Sequence, residues 1–254
     1  MEVQAMNNNL ADEIWGVAFT IVLAALIGDR LKTRTDMNKK DFMIIIGTAH
    51  TGATAGKRSP DGRLREAAYS REVAEDLESA LLSYGYNAVI DYRPMEPNDQ
   101  MRGKTQKELQ NKELAWRVYY VNQMCKQFGC RKCIYVSIHV DASGNGQWMQ
   151  ARGWTVYTSK GKTKADDLAT CLYEAAQKYI PKDHQHALRA DWSDGDPDKE
   201  YGYYVLTKTH CPAVLTENLF QDNKEDVDFL LSDMGRHAIV RIHLEGIIKY
   251  IQSL

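Results

Sequence analysis

Three titratable side chains stand at the ends of apolar, strand-like runs in this sequence. His50 follows "MIIIGTA", His139 ends "YVSIH" and Glu217 follows "AVLT". Ligands collect at the carboxyl ends of strands in open α/β sheets, so these side chains are expected to meet although they lie far apart in the chain. A single histidine at a strand end is more often a hydrogen-bonded structural residue, but three such groups together weaken that alternative.

A fourth candidate lies on a predicted helix, "REAAYSREVAEDLESALLSYGY". Glu66 falls one turn before the stripe of small and apolar residues that should face the core, which comprises Ser70, Val73, Ala74, Leu77 and Leu81. A carboxylate on that buried face needs a partner. The alternative is that Glu66 only stabilises the helix N-terminus through its charge.

His50, Glu66 and His139 offer two imidazoles and one hard oxygen, the donors of a catalytic zinc site with a fourth position for water. A further carboxylate, not itself a ligand, must then take the proton from that water and pass it to the leaving nitrogen. Glu217 fits that role. The residues alone therefore predict metal-assisted hydrolysis without identifying the bond that is cleaved.

The elements that position these residues follow an α/β pattern. Strand-like and helix-like signals alternate from Phe42 onward, which is typical of a layered α/β domain. Candidate strands are "FMIIIG", "NAVIDY", "CIYVSIH", "WTVYT" and "AVLTEN", and candidate helices begin near Leu64, Gln110, Thr163, Lys224 and Gly235. Residues 182–202 are polar and rich in turn formers, which predicts a surface loop of the kind that shapes a site.

Composition limits the class of protein. A chain of 254 residues with 44% hydrophobic content indicates one globular domain, over residues 41–254, after an apolar segment and basic linker at 1–40. A net charge of -2 gives no basic field, so nucleic acid is not an expected partner. Five cysteines, an odd number, argue for a reducing compartment. The run "CKQFGCRKC" matches an iron–sulfur pattern only superficially, and we favour small semi-buried hydrophobes.

Residues 14–28, "IWGVAFTIVLAALIG", are uncharged and precede a basic stretch. They fall short of the ~20 apolar residues that span a bilayer, and no basic region precedes them as in a cleaved signal peptide. Three alternatives stay open: contact with a membrane as an anchor or surface helix, packing on the domain or a partner, or a translation start at Met37. An inserted segment would hold the rest of the chain in the cytoplasm.

The chain resembles the zinc-dependent N-acetylmuramoyl-L-alanine amidases of family 3, which cleave peptidoglycan. The matching runs, over about residues 42 to 252, are "IIIGTAHTG", "LREAAYSREVAEDLESALLSYGY", "YVSIHVDA" and "PAVLTENLFQDN". The last run is the most specific, since it carries the family's spaced Glu217, Phe220 and Asn223. The family's second ligand, a Glu opening a long helix that ends at a Gly, corresponds to Glu66 and Gly85. Departures stand at Thr51, Asp141 and Leu219, none of them a proposed ligand, and bear on substrate preference and loop geometry.

The resemblance implies a three-layer α/β/α fold with a twisted mixed sheet. It implies zinc held by His50, Glu66 and His139, Glu217 as general base, and hydrolysis of the amide between N-acetylmuramic acid and L-alanine in peptidoglycan. The alternatives are a zinc carboxypeptidase-like peptidase, which would use Arg189 to hold a terminal carboxylate, and a non-catalytic wall-binding module. The cysteines and the N-terminus together favour a phage or prophage lysin, cytoplasmic before lysis and acting in the periplasm or cell wall.

Overall fold

The computed structural model describes residues 39–51, 54–91, 105–181 and 188–254. Contacts divide the chain into two units, Met1–Met37 and Asn38–Leu254. The predictions for residues 14–28 lie outside the described residues and stay predictions. In the part of the chain that is described, no helix is long and apolar enough to cross a membrane.

A six-stranded sheet forms the centre of the second unit. Its strands are β1 (Met43–Thr48), β2 (Asn87–Ile90), β3 (Cys133–Asp141), β4 (Thr155–Thr158), β5 (Lys199–Glu200) and β6 (Ala213–Phe220). The order across the sheet is β2-β1-β3-β6-β4-β5. The pair of β4 with β6 is antiparallel and the other pairs are parallel, so the sheet is mixed.

Helices cover both faces of this sheet. They are α1 (Glu66–Ser83), α2 (Gln106–Phe128), α3 (Lys164–Tyr179), α4 (Tyr204–Lys208), α5 (Lys224–Leu230) and α6 (Asp233–Ser253), with 3-10 turns at Lys39–Asp41 and Cys130–Lys132. The larger core packs α1, α3, α5 and α6 on one face, and the smaller core packs α2 and α4 on the other. The predicted three-layer α/β/α fold with a mixed sheet is confirmed.

The β-branched residues of β1 explain why this strand lies inside the sheet and is covered on both faces. Successive side chains of a strand point to opposite faces, and both faces of β1 are covered by helices. Ile44 and Ile46 therefore enter the larger core, while Met43 and Ile45 enter the smaller one. All six residues of β1 are buried, which matches the continuous apolar run in the sequence.

Three of the five cysteines lie in the smaller core, and Cys171 lies in the larger one. All five are free thiols. Cys125, Cys133 and Cys211 are buried in the smaller core beside apolar side chains, which agrees with their interpretation as small hydrophobes. Cys130 is exposed.

Removal of residues 1–36 is expected to leave the hydrolase folded and active, because the two cores are built from residues 42–251. We expect the melting temperature of the truncated protein to match that of the full chain to within about 2 °C. Thermal unfolding and amide hydrolysis, measured on both proteins, check this. An insoluble or inactive truncation would show that the apolar segment packs into the domain.

Candidate active site

His50 lies just beyond the end of β1, and two hydrogen bonds hold its backbone conformation. Its φ is 49°, a left-handed conformation that is uncommon for a residue with a side chain. The conformation is held from two sides, since the Arg117 guanidinium donates to the His50 carbonyl at 3.1 Å and Ala49 N donates to Ser70 Oγ at 2.9 Å. The imidazole is thereby directed into the cleft at the carboxyl end of the sheet.

Helix α1 places the Glu66 side chain between His50 and His139. Ser70, one turn after Glu66, accepts from Ala49 N and donates to the Ile138 carbonyl at 2.6 Å. This single hydroxyl therefore joins α1 to the ends of β1 and β3. Because residues four apart lie on the same helix face, Glu66 projects into the gap between these strand ends.

His50, Glu66 and His139 form a compact group. Glu66 Oε1 lies 3.1 Å from His139 Nδ1, and Glu66 Oε2 lies 3.4 Å from His50 Nε2. One ligand atom from each of the three lies within 4.8 Å of the others, and the two imidazole rings stand at 88° with centroids 5.4 Å apart. Among the described residues, no other set of three His, Cys, Asp or Glu side chains meets this distance criterion.

The protonation states favour metal ligation. Burial lowers the pKa of His139, so its neutral form, which metals bind, predominates. Burial alone would raise the pKa of Glu66, but hydrogen bonds to His139 and His50 outweigh it and hold that pKa well below its usual range. His139 therefore offers a neutral nitrogen donor and Glu66 an ionised oxygen donor.

The same three side chains fit a zinc ion by an independent observation. Glu66 is 1% exposed, and its buried Oε2 accepts no hydrogen bond of good geometry, although His50 Nε2 lies 3.4 Å and Lys57 Nζ 4.0 Å away. A buried carboxylate oxygen without a donor is costly unless a cation occupies its lone pairs. Two imidazole nitrogens and one carboxylate oxygen are a common donor set of catalytic zinc sites.

Glu217 faces this group from β6. It is the register partner of His139 on β3, and both residues line a cleft of about 290 Å³ with His50 and Glu66. Its Oε2 is buried and accepts no hydrogen bond from the described residues. Burial raises the pKa of Glu217 well above its usual range, and the charges of Asp141 and Glu66 add to this effect. The structure thus brings all four predicted side chains to one cleft.

Three further residues that sequence analysis missed contribute to the site. Lys57 lines the cleft, and its Nζ lies 4.0 Å from Glu66 Oε2. Tyr203, the residue that precedes α4, also lines the cleft. Arg117 is the third, and its role depends on a buried polar network. No local sequence pattern predicts any of these three residues, because each reaches the cleft only through tertiary packing.

The network around Arg117 lies beneath His50. Arg117 is 2% exposed and forms two 2.6 Å hydrogen bonds to the carboxylate of Asp91, which is fully buried. The guanidinium also binds Glu113 at 2.9 Å and the His50 carbonyl at 3.1 Å. The Tyr135 hydroxyl donates to the same Asp91 carboxylate at 2.9 Å. Arg117 therefore positions the backbone of His50.

Replacement of Arg117 by methionine is expected to lower the free energy of unfolding by about 3 kcal/mol or more, since it leaves the Asp91 and Glu113 carboxylates buried and unpaired. Zinc affinity should also fall, by roughly 10–100-fold, because the backbone of His50 loses its support. Urea unfolding and zinc titration measure the two effects.

The matched control is Arg236→Met. Arg236 pairs with Glu72 and Asp76 at the surface, where an ion pair contributes less than about 1 kcal/mol. Equal losses of stability in the two variants, or unchanged zinc affinity in Arg117→Met, would contradict the role assigned to Arg117.

The fold and the site together define a class: three-layer α/β proteins in which a His–Glu–His group that could hold a metal ion shares one cleft with a separate carboxylate. The model of the N-acetylmuramoyl-L-alanine amidase family matches residues 44–249. The chain belongs to this family.

Individual relatives agree with that membership. The endolysin of Bacillus phage SPP1 is 28% identical over 138 residues, covering 53% of this chain and 46% of the relative. A probable cell wall amidase, LytH, of Staphylococcus saprophyticus is 29% identical over 119 residues, covering 47% of this chain and 35% of the relative. The chain thus matches less than half the length of these relatives.

A solved structure shows the same fold. The CwlD amidase from Clostridioides difficile, in complex with the GerS lipoprotein, superposes with a TM-score of 0.67 at 20% identity. The match covers 84% of this chain and all (100%) of that chain. At this identity, the similarity supports the arrangement of helices and strands rather than a substrate.

Proposed function

We propose that this protein hydrolyses the amide bond between N-acetylmuramic acid and L-alanine in peptidoglycan, with zinc held by His50, Glu66 and His139. The observation that carries the proposal is that these ligands and Glu217 meet in one cleft of a chain that belongs to the amidase family. Binding alone would not require a proton-transferring carboxylate beside the ligand set, which argues against a non-catalytic wall-binding module.

Zinc, when bound, supplies Lewis acidity that polarises a carbonyl group and makes water more acidic. Glu217 accepts the proton of the attacking water as the new C–O bond forms at the scissile carbonyl. It then donates that proton to the L-alanine nitrogen as the C–N bond breaks. The raised pKa of Glu217 suits this second step, because its protonated form is stabilised in the cleft.

The position of Arg189 bears on the peptidase alternative. Its guanidinium forms a 2.8 Å ion pair with Asp141 and lies over the Phe220 ring at 4.8 Å. A cation that is already paired is poorly suited to hold the terminal carboxylate of a peptide. The site therefore favours an amide bond that lies away from a free carboxylate.

The relatives support action on the cell wall, since they include a phage endolysin and a probable cell wall amidase. We propose that the protein is a phage or prophage lysin that stays in the cytoplasm until lysis and then acts in the periplasm or cell wall. Contact of residues 14–28 with a membrane remains part of this proposal. A processed, exported form in uninfected growing cells would count against it.

Digestion of purified peptidoglycan tests the activity. The zinc-loaded protein should release peptides with new L-alanine amino groups and no new reducing sugar ends, as measured by mass spectrometry and end-group assays. A chelator should abolish the release, and added zinc should restore it. Release of new reducing ends, or cleavage only within the stem peptide, would overturn the assigned bond.

A further inference from the structure

Three tyrosine rings lead from the catalytic cleft to the protein surface. Tyr157 on β4 packs edge-on against Tyr203, with ring centroids 5.4 Å apart and ring planes at 83°. Tyr203 in turn contacts Tyr201, with ring centroids 4.5 Å apart. Tyr157 and Tyr203 are partly buried against the smaller core, whereas Tyr201 is 56% exposed. These three residues are called the tyrosine row below.

The inner end of the tyrosine row lies beside the carboxylate assigned to proton transfer. Tyr203 and Glu217 line the same cleft. Burial raises the pKa of Tyr203, and the charge of Glu217 adds to this effect. The sheet agrees with this placement, because β4, which carries Tyr157, pairs with β6, which carries Glu217. A molecule that reacts at Glu217 can therefore extend along the tyrosine row.

The outer end of the tyrosine row is held in place although it is exposed. The Tyr201 backbone N–H donates to the Thr158 carbonyl at 3.0 Å, and the two residues before Tyr201 pair with β4. A ring that is already fixed by its neighbours loses little conformational freedom when a ligand covers it. Exposed aromatic surface that continues from a cleft is typical of a binding surface.

The proposed substrate requires a place for a sugar close to Glu217. Its lactyl group joins the scissile carbonyl to the sugar ring, so the sugar must lie against a wall of the cleft. Lys57, beside Glu66, offers a cation that suits the carboxylates of a peptide. On the β4 side of Glu217 the wall carries Tyr203 and Tyr204 instead. A sugar ring has an apolar C–H face that packs on an aromatic ring, and hydroxyl groups at its edge that hydrogen-bond to phenols.

We propose that Tyr203 and Tyr201 form a sugar-binding subsite, which holds the glycan strand of peptidoglycan next to the scissile amide bond. This inference rests on the proposed function, because the position of that bond fixes where the sugar lies. The subsite makes the protein select an amide that is attached to a sugar over a similar amide in a peptide.

Binding of glycan strands from which the peptides have been removed tests the subsite without any reaction. Isothermal titration calorimetry is carried out on the full chain loaded with zinc. Tyr201→Ala should weaken binding by about tenfold, because the sugar loses the ring that covers its apolar face. Tyr201→Phe keeps that ring and should bind within about threefold of the unmodified protein.

The matched control is Tyr119→Ala. Tyr119 is 54% exposed, but its ring lies on α2 and packs against Trp116. Its removal should leave the affinity for glycan strands unchanged. A loss in Tyr119→Ala as large as the loss in Tyr201→Ala would overturn the subsite, since any exposed ring would then serve.

A pair of substrates tests the selection. One is N-acetylmuramic acid that carries the stem peptide, and the other is the same peptide with only a lactyl group at its amino end. The unmodified protein should prefer the first in kcat/KM, and in Tyr201→Ala this preference should fall by about tenfold. A merely structural role of Tyr201 would slow both reactions equally and leave the preference unchanged.

Failure of the subsite and failure of the proposed function give different results. The subsite is overturned if the unmodified protein binds no glycan strand, if Tyr201→Ala binds as tightly as the unmodified protein, or if the preference is unchanged in that variant. If glycan binding depends on Tyr201 but neither substrate is cleaved, the subsite stands and the proposed reaction is wrong.

Discussion

Glu217→Gln is expected to lower the rate of amide hydrolysis by about 10²–10⁴-fold while zinc stays bound. Glutamine keeps the size and hydrogen-bonding reach of the side chain, but it neither accepts the proton of water nor donates one to the leaving nitrogen. The three residues of the ligand set are untouched by this change. Turnover of peptidoglycan and zinc content, measured on the same sample, separate loss of proton transfer from loss of metal.

Asp141→Asn is the matched control for Glu217→Gln. Asp141 lines the same cleft, but its carboxylate is paired with Arg189, and asparagine keeps its size and hydrogen-bonding reach. We expect activity within about tenfold of the unmodified protein. If Glu217→Gln instead loses zinc and excess zinc restores part of the rate, Glu217 is a ligand. Full activity of Glu217→Gln would remove it from the mechanism.

The features that sequence analysis predicted depend on strong local patterns. Continuous β-branched runs predict β1, β3 and β6, and with them the position of His50 after β1. His139 and Glu217 were predicted at strand ends, but β3 and β6 continue past them, to Asp141 and Phe220. Glu66 was found because the helical stripe of α1 fixes which side chains share a face. These patterns predict the fold correctly because the apolar residues that form them also build the core.

The features that were missed have no such pattern. Strand β5 is two polar residues, Lys199–Glu200, and α4 is five residues, so neither has a periodicity to detect. Both depend on packing by residues distant in sequence. Residues 199–208, which contain both elements, include Tyr203 of the cleft. Sequence analysis therefore did not predict this part of the cleft wall either.

A single sequence also does not predict which buried polar side chains will pair. Arg117 lies on α2, a helix of low overall hydrophobicity, where an arginine usually faces water. Its burial is possible because Asp91, which follows β2, and Glu113 supply the opposite charges. Such contacts are decided by which elements become neighbours, which composition and period do not specify.

Removal of either histidine ligand is the sharpest test of the metal assignment. Zinc-finger sites, which have four protein ligands, contribute about 10–16 kcal/mol at neutral pH, or about 3–4 kcal/mol for each ligand, so loss of one of the three ligands proposed here should lower zinc affinity by roughly 10²–10³-fold. His50→Ala and His139→Ala should therefore lose zinc on dialysis, and hydrolysis with it, whereas the exposed His237→Ala should keep both. Zinc measured by atomic emission on all three variants checks this. Stoichiometric zinc in both ligand variants would mean that the metal is held elsewhere, because two remaining ligands are too few to retain it.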